Sequence, residues 1–306
     1  MQLIDVTKIP KNNRIYNGTT KKYGITFGNT DYIIKFTKDE DMSVYTEYIA
    51  SSFIRALGIA CHEVRLGTYN GEIVAIIKDF TSNSNYVLHS FKDTKQSSED
   101  TEIGDKEYTY DDVIYLIDKH LRMDAKSKLE AKHAFWRMFI CDAIIGNRDR
   151  HWGNWGYLKN ITTQQYIFAP LYDNGAGLYP GVNYKIHEYI DKSTRKKFMY
   201  DRIYTFPASL FKIKRPDRSY RSNYAEMFKD LRVNKLLAEE VRSIKQAFTH
   251  QKVYDIMCSI CADLPLDNAY KRFYIEIVTL RYMCIILRID FDKAYNLIES
   301  KLNKLV

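Results

Sequence analysis

Apolar and polar positions along the first 80 residues alternate in the pattern of β-strands. Residues 14–36 (RIYNGTTKKYGITFGNTDYIIKF) contain β-branched and aromatic runs, a Thr-Thr-Lys-Lys turn bracketed by Gly18 and Gly24, and a second turn at FGNTD. After Gly58, the runs CHEVRLGTY and IVAIIKDF flank a turn at TYNGE and predict two further strands. One helix interrupts this part, because residues 43–57 (SVYTEYIASSFIRAL) have apolar side chains at helical spacing.

Beyond residue 80 the pattern changes to that of helices. The segment YDDVIYLIDKHL and residues 128–145 (KLEAKHAFWRMFICDAII) carry apolar faces at helical spacing, and from about residue 220 the pattern predicts only amphipathic helices. The remainder of 81–127 is polar and predicts a solvated loop. The stretch NGAGLYPGVNYKIHEYIDKSTRKKF, which follows Asp173, predicts a long surface loop.

This order predicts an α+β fold, in which a small β-rich lobe (1–80) with one main helix precedes a large helical lobe (81–306). The 306 residues suffice for one large domain or two lobes, and 45% apolar with 27% charged residues is typical of a globular protein. The formal charge of +8 comes from scattered basic residues, without a zinc module or an RNA-binding aromatic signature. We therefore expect a basic face for nucleotide or an acidic substrate, and no nucleic acid as a direct ligand.

The cysteines and the N-terminus indicate the compartment. The five cysteines are an odd number without a framework spacing, which favours a reducing environment. Cys258 and Cys261 form a C-x-x-C pair without a second ligand pair, so we interpret them as helical neighbours in a core. The N-terminus lacks a signal-peptide pattern, and no apolar run approaches about 18 residues. We expect a soluble, cytoplasmic protein without membrane contact, while secretion as an effector by a route without a signal peptide stays open.

The candidate chemistry lies in residues 140–175 (ICDAIIGNRDRHWGNWGYLKNITTQQYIFAPLYDNG). Asp149 and Asn154 are five positions apart in a polar loop, and Asp173 follows a strand-like run. In a phosphoryl-transfer centre, one acid orients the attacking hydroxyl, and an amide oxygen with a second acid holds Mg²⁺ against the nucleotide phosphates. Asp-x₄-Asn is also the spacing of the protein-kinase catalytic loop. The alternative is a polar loop with unrelated acids, so the rest of the chain must supply a nucleotide site.

Lys35 and Glu47 are candidates for that site. A lysine within the apolar strand YIIKF costs desolvation unless it is paired, and Glu47 follows on the helix for which Ser43 is a candidate N-cap. Protein kinases use such a strand-lysine and helix-glutamate pair to hold the α- and β-phosphates. Alternatively, Lys35 extends to solvent from an edge strand and Glu47 only complements the helix dipole. The strand that ends at residues 78–80 marks a possible hinge facing adenine.

Together these segments resemble a known family. Five motifs are similar to those of the HipA-like Ser/Thr kinases, and within that family to those of the short CtkA-type kinases. They are NRDRHWGNWG (147–156), APLYDNG (169–175), the strand IIKF that ends in Lys35 and Phe36, EYIASSFIRALGI (47–59) and RLGTYNGEIVAIIKDF (65–80). The similarity is collinear across most of residues 14–210. It implies a two-lobed protein-kinase-like fold, ATP and Mg²⁺ as cofactors, and phosphate transfer to a Ser or Thr of a protein.

The resemblance assigns roles residue by residue. Asp149 matches the catalytic aspartate, Asn154 and Asp173 match the Mg²⁺ ligands, and His151 lies in the same motif and supports the catalytic loop or the phosphates. Lys35 matches the lysine that contacts the nucleotide phosphates, with Glu47 as its structural partner. The remaining positions are implied to bind the nucleotide through the glycine-containing loop or the hinge, and they are Gly18, Thr19, Thr20, Lys78, Asp79 and Phe80.

The chain departs from the family in its glycine-containing loop. YNGTTKK replaces the Gly-Ala-Gln-Glu-Lys-type loop of longer HipA proteins, and the autophosphorylated serine that precedes that loop falls near Ile15. Ile15 cannot be phosphorylated, which leaves Tyr16, Thr19 or Thr20 as substitutes.

Three functions are consistent with these residues. The first is an autophosphorylating Ser/Thr protein kinase with a toxin or effector role, whose partners include an antitoxin or a host protein. The second is a small-molecule or lipid kinase on the same fold. The third is a nucleotide-binding pseudokinase or interaction module, against which the intact set of Lys35, Asp149, Asn154 and Asp173 weighs.

Overall fold

The computed structural model describes residues 2–16, 20–37, 40–96, 109–119, 121–206, 208–214, 219–230 and 234–303. The strands within these ranges are β1 (Ile4–Asp5), β2 (Lys22–Phe27), β3 (Thr30–Lys35), β4 (Val64–Tyr69), β5 (Glu72–Lys78), β6 (Tyr86–Ser90), β7 (Gly156–Asn160), β8 (Tyr166–Phe168), β9 (Ala208–Lys214) and β10 (Ser219–Asn223). The α-helices are α1 (Ser43–Ala56), α2 (Phe91–Gln96), α3 (Tyr110–Lys119), α4 (Ala125–Ile145), α5 (Ile186–Ile190), α6 (Lys192–Tyr204), α7 (Tyr224–Asp230), α8 (Lys235–Ala247), α9 (His250–Ala262), α10 (Asn268–Arg281) and α11 (Phe291–Leu302). A 3₁₀ helix (Pro180–Lys185) precedes α5, and a π-helical turn (Tyr282–Ile286) continues α10.

The first part of the chain forms a five-stranded sheet in the order β1-β4-β5-β3-β2. All neighbouring pairs are antiparallel except β1 and β4. Because side chains alternate between the two faces of a strand, one face carries Ile25, Ile34 and Val74, which pack in a small cluster with Val6 from the N-terminal segment. The opposite face carries Lys35 and packs against α1.

Helix α1 begins at Ser43, so the prediction that Ser43 is the N-cap is wrong by one position. Met42 is the N-cap residue and makes no side-chain cap hydrogen bond. The main-chain N–H of Ser43 instead donates to Asp41 Oδ1 at 2.9 Å. The helix buries Ile49, Phe53 and other apolar residues against the sheet, as its helical spacing predicts.

Helix α4 is the central helix of the second part. It starts three residues before the predicted segment, because Asp124 caps it by accepting a hydrogen bond from the Ser127 N–H. It packs against α8 and α10, and it is buried along its C-terminal half. Gly146 ends it with φ of 65°, a left-handed conformation that glycine adopts without strain. The predicted α+β class, with a small sheet part and a large helical part, is confirmed, while the lobe boundary at residue 80 stays a prediction.

Several local predictions were wrong. The solvated loop predicted for 81–127 contains β6, which joins β7 and β8 in a three-stranded sheet, and the short helix α2. The loop predicted after Asp173 is largely helical, and a hairpin of β9 and β10 extends to Asn223, where only helices were expected. Gly24 lies within β2 rather than at the edge of a turn. These elements are short or polar, so their apolar periodicity is too weak to identify them.

The placement of Cys258 and Cys261 agrees with the sequence interpretation. Cys258 and Cys261 lie on the same helix, α9, and all five cysteines are free thiols. No helix in the described part of the chain is both long and apolar enough to span a membrane.

Candidate active site

Lys35 joins the two parts of the molecule. Its Nζ lies 2.7 Å from Glu47 Oε2 on α1 and 2.7 Å from Asp173 Oδ1 in the loop after β8. The residue is only 9% exposed. Burial opposes the charge, but attraction to Glu47 and Asp173 outweighs it and raises the pKa of the ammonium. Lys35 is therefore a charged, oriented donor between two carboxylates, and not a side chain that extends to solvent.

Glu47 is fully buried, with 0% exposure, and four groups satisfy its carboxylate. Besides Lys35, His62 Nε2 lies 3.1 Å from Oε1, and the main-chain N–H groups of Asn174 and Gly175 donate at 2.8 Å and 3.1 Å. Burial alone would raise the pKa of Glu47, but the charge of Lys35 and the His62 hydrogen bond keep it well below its usual range. Glu47 thus ties α1 to the segment that carries Asp173.

Asp173 has an unusual backbone conformation, with φ of 55°. This left-handed region is sparsely populated by non-glycine residues, although aspartate adopts it more readily than most. Leu171, two residues earlier, is held by two hydrogen bonds, from its own N–H to Ala60 O and from the His62 N–H to its carbonyl, both at 2.9 Å. These bonds, and those from the Asn174 and Gly175 N–H groups to Glu47, hold the segment from which the half-exposed Asp173 carboxylate reaches Lys35.

The catalytic loop predicted at 147–156 starts where α4 ends. Asn147 Oδ1 accepts the Asp149 N–H at 2.9 Å, and the Asn147 carbonyl accepts the Tyr224 hydroxyl at 2.6 Å. Asn154 Nδ2 donates to the Asp149 carbonyl at 2.8 Å, which leaves Oδ1 as the atom of this amide suited to a cation. Asp149 is itself exposed, so its carboxylate is accessible to an incoming hydroxyl.

Arg150, which no sequence pattern singles out, connects this loop to the Asp173 segment. The side chain is completely buried and pairs with Asp142 of α4, with Arg150 Nη2 2.9 Å from Asp142 Oδ1. Its Nη1 donates to the carbonyls of Asn154 (2.7 Å) and Tyr172 (2.6 Å), and its Nη2 donates to Asn174 Oδ1 (2.6 Å). Tyr172 and Asn174 flank the predicted metal ligand, so Arg150 sets the relative position of both loops. The signal available in the sequence was an acid, Asp142, inside an otherwise apolar helix.

His151 supports the turn of the catalytic loop. Its Nδ1 accepts the Gly153 N–H at 3.0 Å, and the Asn154 N–H donates to the His151 carbonyl at 2.9 Å. The imidazole is exposed. A contact between His151 and phosphate stays a prediction.

Two main-chain donors of the predicted hinge at residues 78–80 are already in use. The N–H groups of Lys78 and Asp79 already donate to the carbonyls of Glu63 (2.9 Å) and Asp31 (3.0 Å). The Lys78 side chain is exposed, and that of Asp79 is buried. Contact of a base with main-chain donors of this segment is therefore left to Phe80, which stays a prediction.

The glycine-containing loop is described only in part. Gly18 and Thr19 lie outside the described residues, and Thr20 is half-buried just before β2. Lys22, which the sequence analysis did not select, is paired with Lys35 in the register of β2 and β3. Burial lowers the pKa of Lys22, and the charge of Lys35 acts in the same direction, while the charges of Asp173 and Glu47 oppose the shift. Two lysines directly opposite each other repel, so this pair suits a bound polyanion.

The donor set also fits a nucleotide-bound Mg²⁺. Among the described residues, no three His, Cys, Asp or Glu side chains cluster as a metal cage. Magnesium in nucleotide sites is bound by one or two protein oxygens together with phosphates and water. Asn154 Oδ1 and the Asp173 carboxylate match that requirement.

Comparison with known proteins identifies the family. The profile of the family described as HipA-like C-terminal domain matches residues 16–248. The chain belongs to the HipA-like C-terminal domain family. A relative, the serine/threonine-protein kinase CtkA of Helicobacter pylori (strain J99 / ATCC 700824), is 34% identical over 215 residues, which cover 66% of this chain. The match spans 62% of that relative's length.

Solved structures related to the HipA-like C-terminal domain family share the fold. The crystal structure of a Helicobacter pylori proinflammatory kinase CtkA aligns with a TM-score of 0.79 at 28% identity, covering 98% of this chain and 99% of that one. HipA of Shewanella oneidensis MR-1, in a toxin–antitoxin complex with HipB and operator DNA, aligns with a TM-score of 0.55 at 16% identity, covering 94% and 65%. The predicted family and the two-lobed kinase-like fold are confirmed.

Proposed function

We propose that this protein is an ATP- and Mg²⁺-dependent serine/threonine protein kinase. The observation that carries the proposal is the placement of Lys35 between Glu47 and Asp173, at 2.7 Å from each. A buried lysine needs a counter-charge, and here one of its two carboxylate partners, Asp173, is half-exposed, so an incoming phosphate has access to the ammonium. The 34% identity to a protein named as a serine/threonine kinase supports the same activity.

Each side chain has a distinct task in this proposal. Asp149 orients the acceptor hydroxyl and receives its proton, while Lys35, held by Glu47, orients the α- and β-phosphates. Asn154 and Asp173 hold the metal ion, which neutralises phosphate charge when bound. Arg150 keeps the catalytic loop and the Asp173 segment in register, which matters because positioning supplies much of the rate enhancement.

The acceptor is a Ser or Thr hydroxyl of a protein, and this chain is one such acceptor through autophosphorylation. An antitoxin or a host protein is the further partner class that the resemblance to HipA-like kinases supports. Assays that compare protein acceptors with small alcohols distinguish this function from that of a small-molecule kinase.

The test is phosphate transfer from labelled ATP in the presence of Mg²⁺. We expect Asp149→Asn and Asp173→Asn to abolish transfer while the fold survives, as judged by cooperative thermal unfolding. Asp111→Asn, which changes an exposed acid on α3, is the matched control and should retain full activity. Full activity of the Asp149 variant would contradict the mechanism, and wild-type protein that binds ATP without transferring phosphate would favour a pseudokinase.

A further inference from the structure

The segment before the glycine-containing loop lies across the same face of the sheet as Lys35. Lys22 and Gly24 share a face of β2, and their partners on β3 are Lys35 and Ile33. The Asn12 N–H donates to the Gly24 carbonyl at 2.9 Å, so the chain at Asn12 lies alongside β2. The Asn12 side chain and the Tyr16 ring lie over Gly24 on this face, so residues 12–16 cover the sheet beyond its predicted phosphate-binding end.

Tyr16 is held in this position by a buried acid. Its hydroxyl donates to Asp79 Oδ2 at 3.0 Å, and Arg14 Nη1 lies 3.0 Å from the same oxygen. Its ring lies against Gly24, so that a Cβ added to this glycine would come within 3.0 Å of Tyr16 Cε2. Burial and the charge of Asp79 raise the pKa of Tyr16, so the phenol stays protonated and keeps donating. Gly24 is thus required in β2, because the Asn12 side chain, which comes closest, and the Tyr16 ring together occupy the space above it.

The Tyr16 ring lies where we expect a nucleoside to run if its phosphates contact Lys35. Lys35 marks one end of β3, and Asp31, at the other end, accepts the N–H of Asp79 at 3.0 Å. These ends are about 13 Å apart for four residues of strand. A nucleotide whose phosphates contact Lys35 extends its base along this face toward residues 78–80. The Tyr16 ring lies between Gly24 and Asp79, on that path.

We propose that Tyr16 is a built-in plug of the base subsite, which a nucleotide must displace before it binds; this rests on the kinase function proposed above. Asp79 holds the Tyr16 ring in place, because its carboxylate accepts the phenol O–H. A base that carries an amino group can also donate a hydrogen bond to Asp79. When such a base displaces Tyr16, its amino group replaces the phenol O–H as the donor to this carboxylate. The plug therefore sets the apparent affinity for nucleotide without touching Asp149 or the metal ligands.

The sign of the change in nucleotide affinity tests this proposal. We expect Tyr16→Ala to bind the non-hydrolysable ATP analogue AMP-PNP with Mg²⁺ about tenfold more tightly in calorimetry, as for a subsite open one tenth of the time in the wild type. Tyr16→Phe keeps the ring but loses the hydrogen bond, so its gain should be smaller. Ile15→Ala is the matched control, because Ile15 is the chain neighbour and is 91% exposed.

Weaker binding by Tyr16→Ala would overturn the proposal, since it would mean that the ring stacks on the base. Equal affinity in all variants would overturn it as well. Amide hydrogen exchange is an independent readout on the wild type, where AMP-PNP should accelerate exchange in residues 12–16 if Tyr16 is displaced. Slower exchange there would contradict displacement. If neither the wild type nor any variant bound AMP-PNP, the nucleotide-dependent function would be refuted, and the plug with it. Failure of the plug alone is distinguishable, because the proteins would then still bind AMP-PNP.

Discussion

Lys35 Nζ and Asp173 Oδ1 are 2.7 Å apart, although 138 positions separate the two residues in the sequence. This ion pair connects β3 of the five-stranded sheet to the loop that follows β8. Glu47 holds both ends of the contact, since it pairs with Lys35 and accepts the two N–H groups that follow Asp173. The sheet, α1 and the Asp173 segment are therefore connected through one buried carboxylate.

Replacing that carboxylate tests its importance. Glu47→Gln removes the charge from a fully buried site while preserving the shape, and it leaves Lys35 with Asp173 alone. We expect the free energy of unfolding to fall by about 3 kcal/mol and phosphate transfer to fall at least about tenfold. Urea unfolding and labelled-ATP assays measure the two effects. Glu63→Gln, which removes a surface pair with Arg65, should change stability by less than about 1 kcal/mol.

Substitutions of Arg150 and Asp142 can distinguish an effect on stability from an effect on activity. Arg150→Met leaves Asp142 buried without its counter-charge, so we expect a loss of about 3–5 kcal/mol. The double variant Asp142→Leu with Arg150→Met removes both charges and should recover much of that loss. Activity should not return with stability, because the hydrogen bonds to Asn154, Tyr172 and Asn174 are still missing. Recovery of both would show that Arg150 only stabilises the fold.

Lys22 provides a test of the phosphate-binding face. Lys22→Gln removes one of two opposed cations, so we expect the KM for ATP to rise several-fold with a smaller change in kcat. Lys21→Gln is the matched control, since the Lys21 ammonium lies over the Phe36 ring, 4.3 Å from its centroid. Equal effects of the two substitutions on KM would contradict a specific role for Lys22.

Glu276 makes stability depend on pH. It is completely buried on α10, accepts the Tyr189 hydroxyl at 2.7 Å, and burial raises its pKa from 4.5 to about 7. Below pH 4.5 the carboxyl is protonated in both states, so it imposes no penalty. Between pH 4.5 and 7 only the unfolded state releases the proton, so folding loses up to about 3 kcal/mol from this group.

Glu276→Gln should remove this contribution. The stability of the variant relative to the wild type should therefore increase from pH 4.5 to pH 7 and stay constant above. Urea unfolding of both proteins at pH 5 and pH 7.5 measures that difference. A difference that does not change with pH would contradict the raised pKa.

Local patterns in the sequence were sufficient for some features of the site. Asp149 and Asn154 are close in the chain, and one loop after α4 brings them together through the Asn154 hydrogen bond to the Asp149 carbonyl. The pairing of Lys35 with Glu47 was also accessible, because an isolated charge in an apolar strand requires a partner. By contrast, Arg150 looked like one more basic residue in a polar loop. Its burial follows from the packing of α4 beneath the loop, which no local pattern encodes.

Apolar periodicity and residue type by themselves determined the α+β class, the helix that carries Glu47 and the candidate acids, since these depend on local propensity and on which side chains avoid water. Only the tertiary structure decided which distant groups meet: Asp173 with Lys35, Arg150 with both loops, and Tyr16 with Asp79. The physical reason is that a buried charge or polar group must be satisfied by whatever partner the fold brings to it. That partner is set by packing in three dimensions and not by separation along the chain.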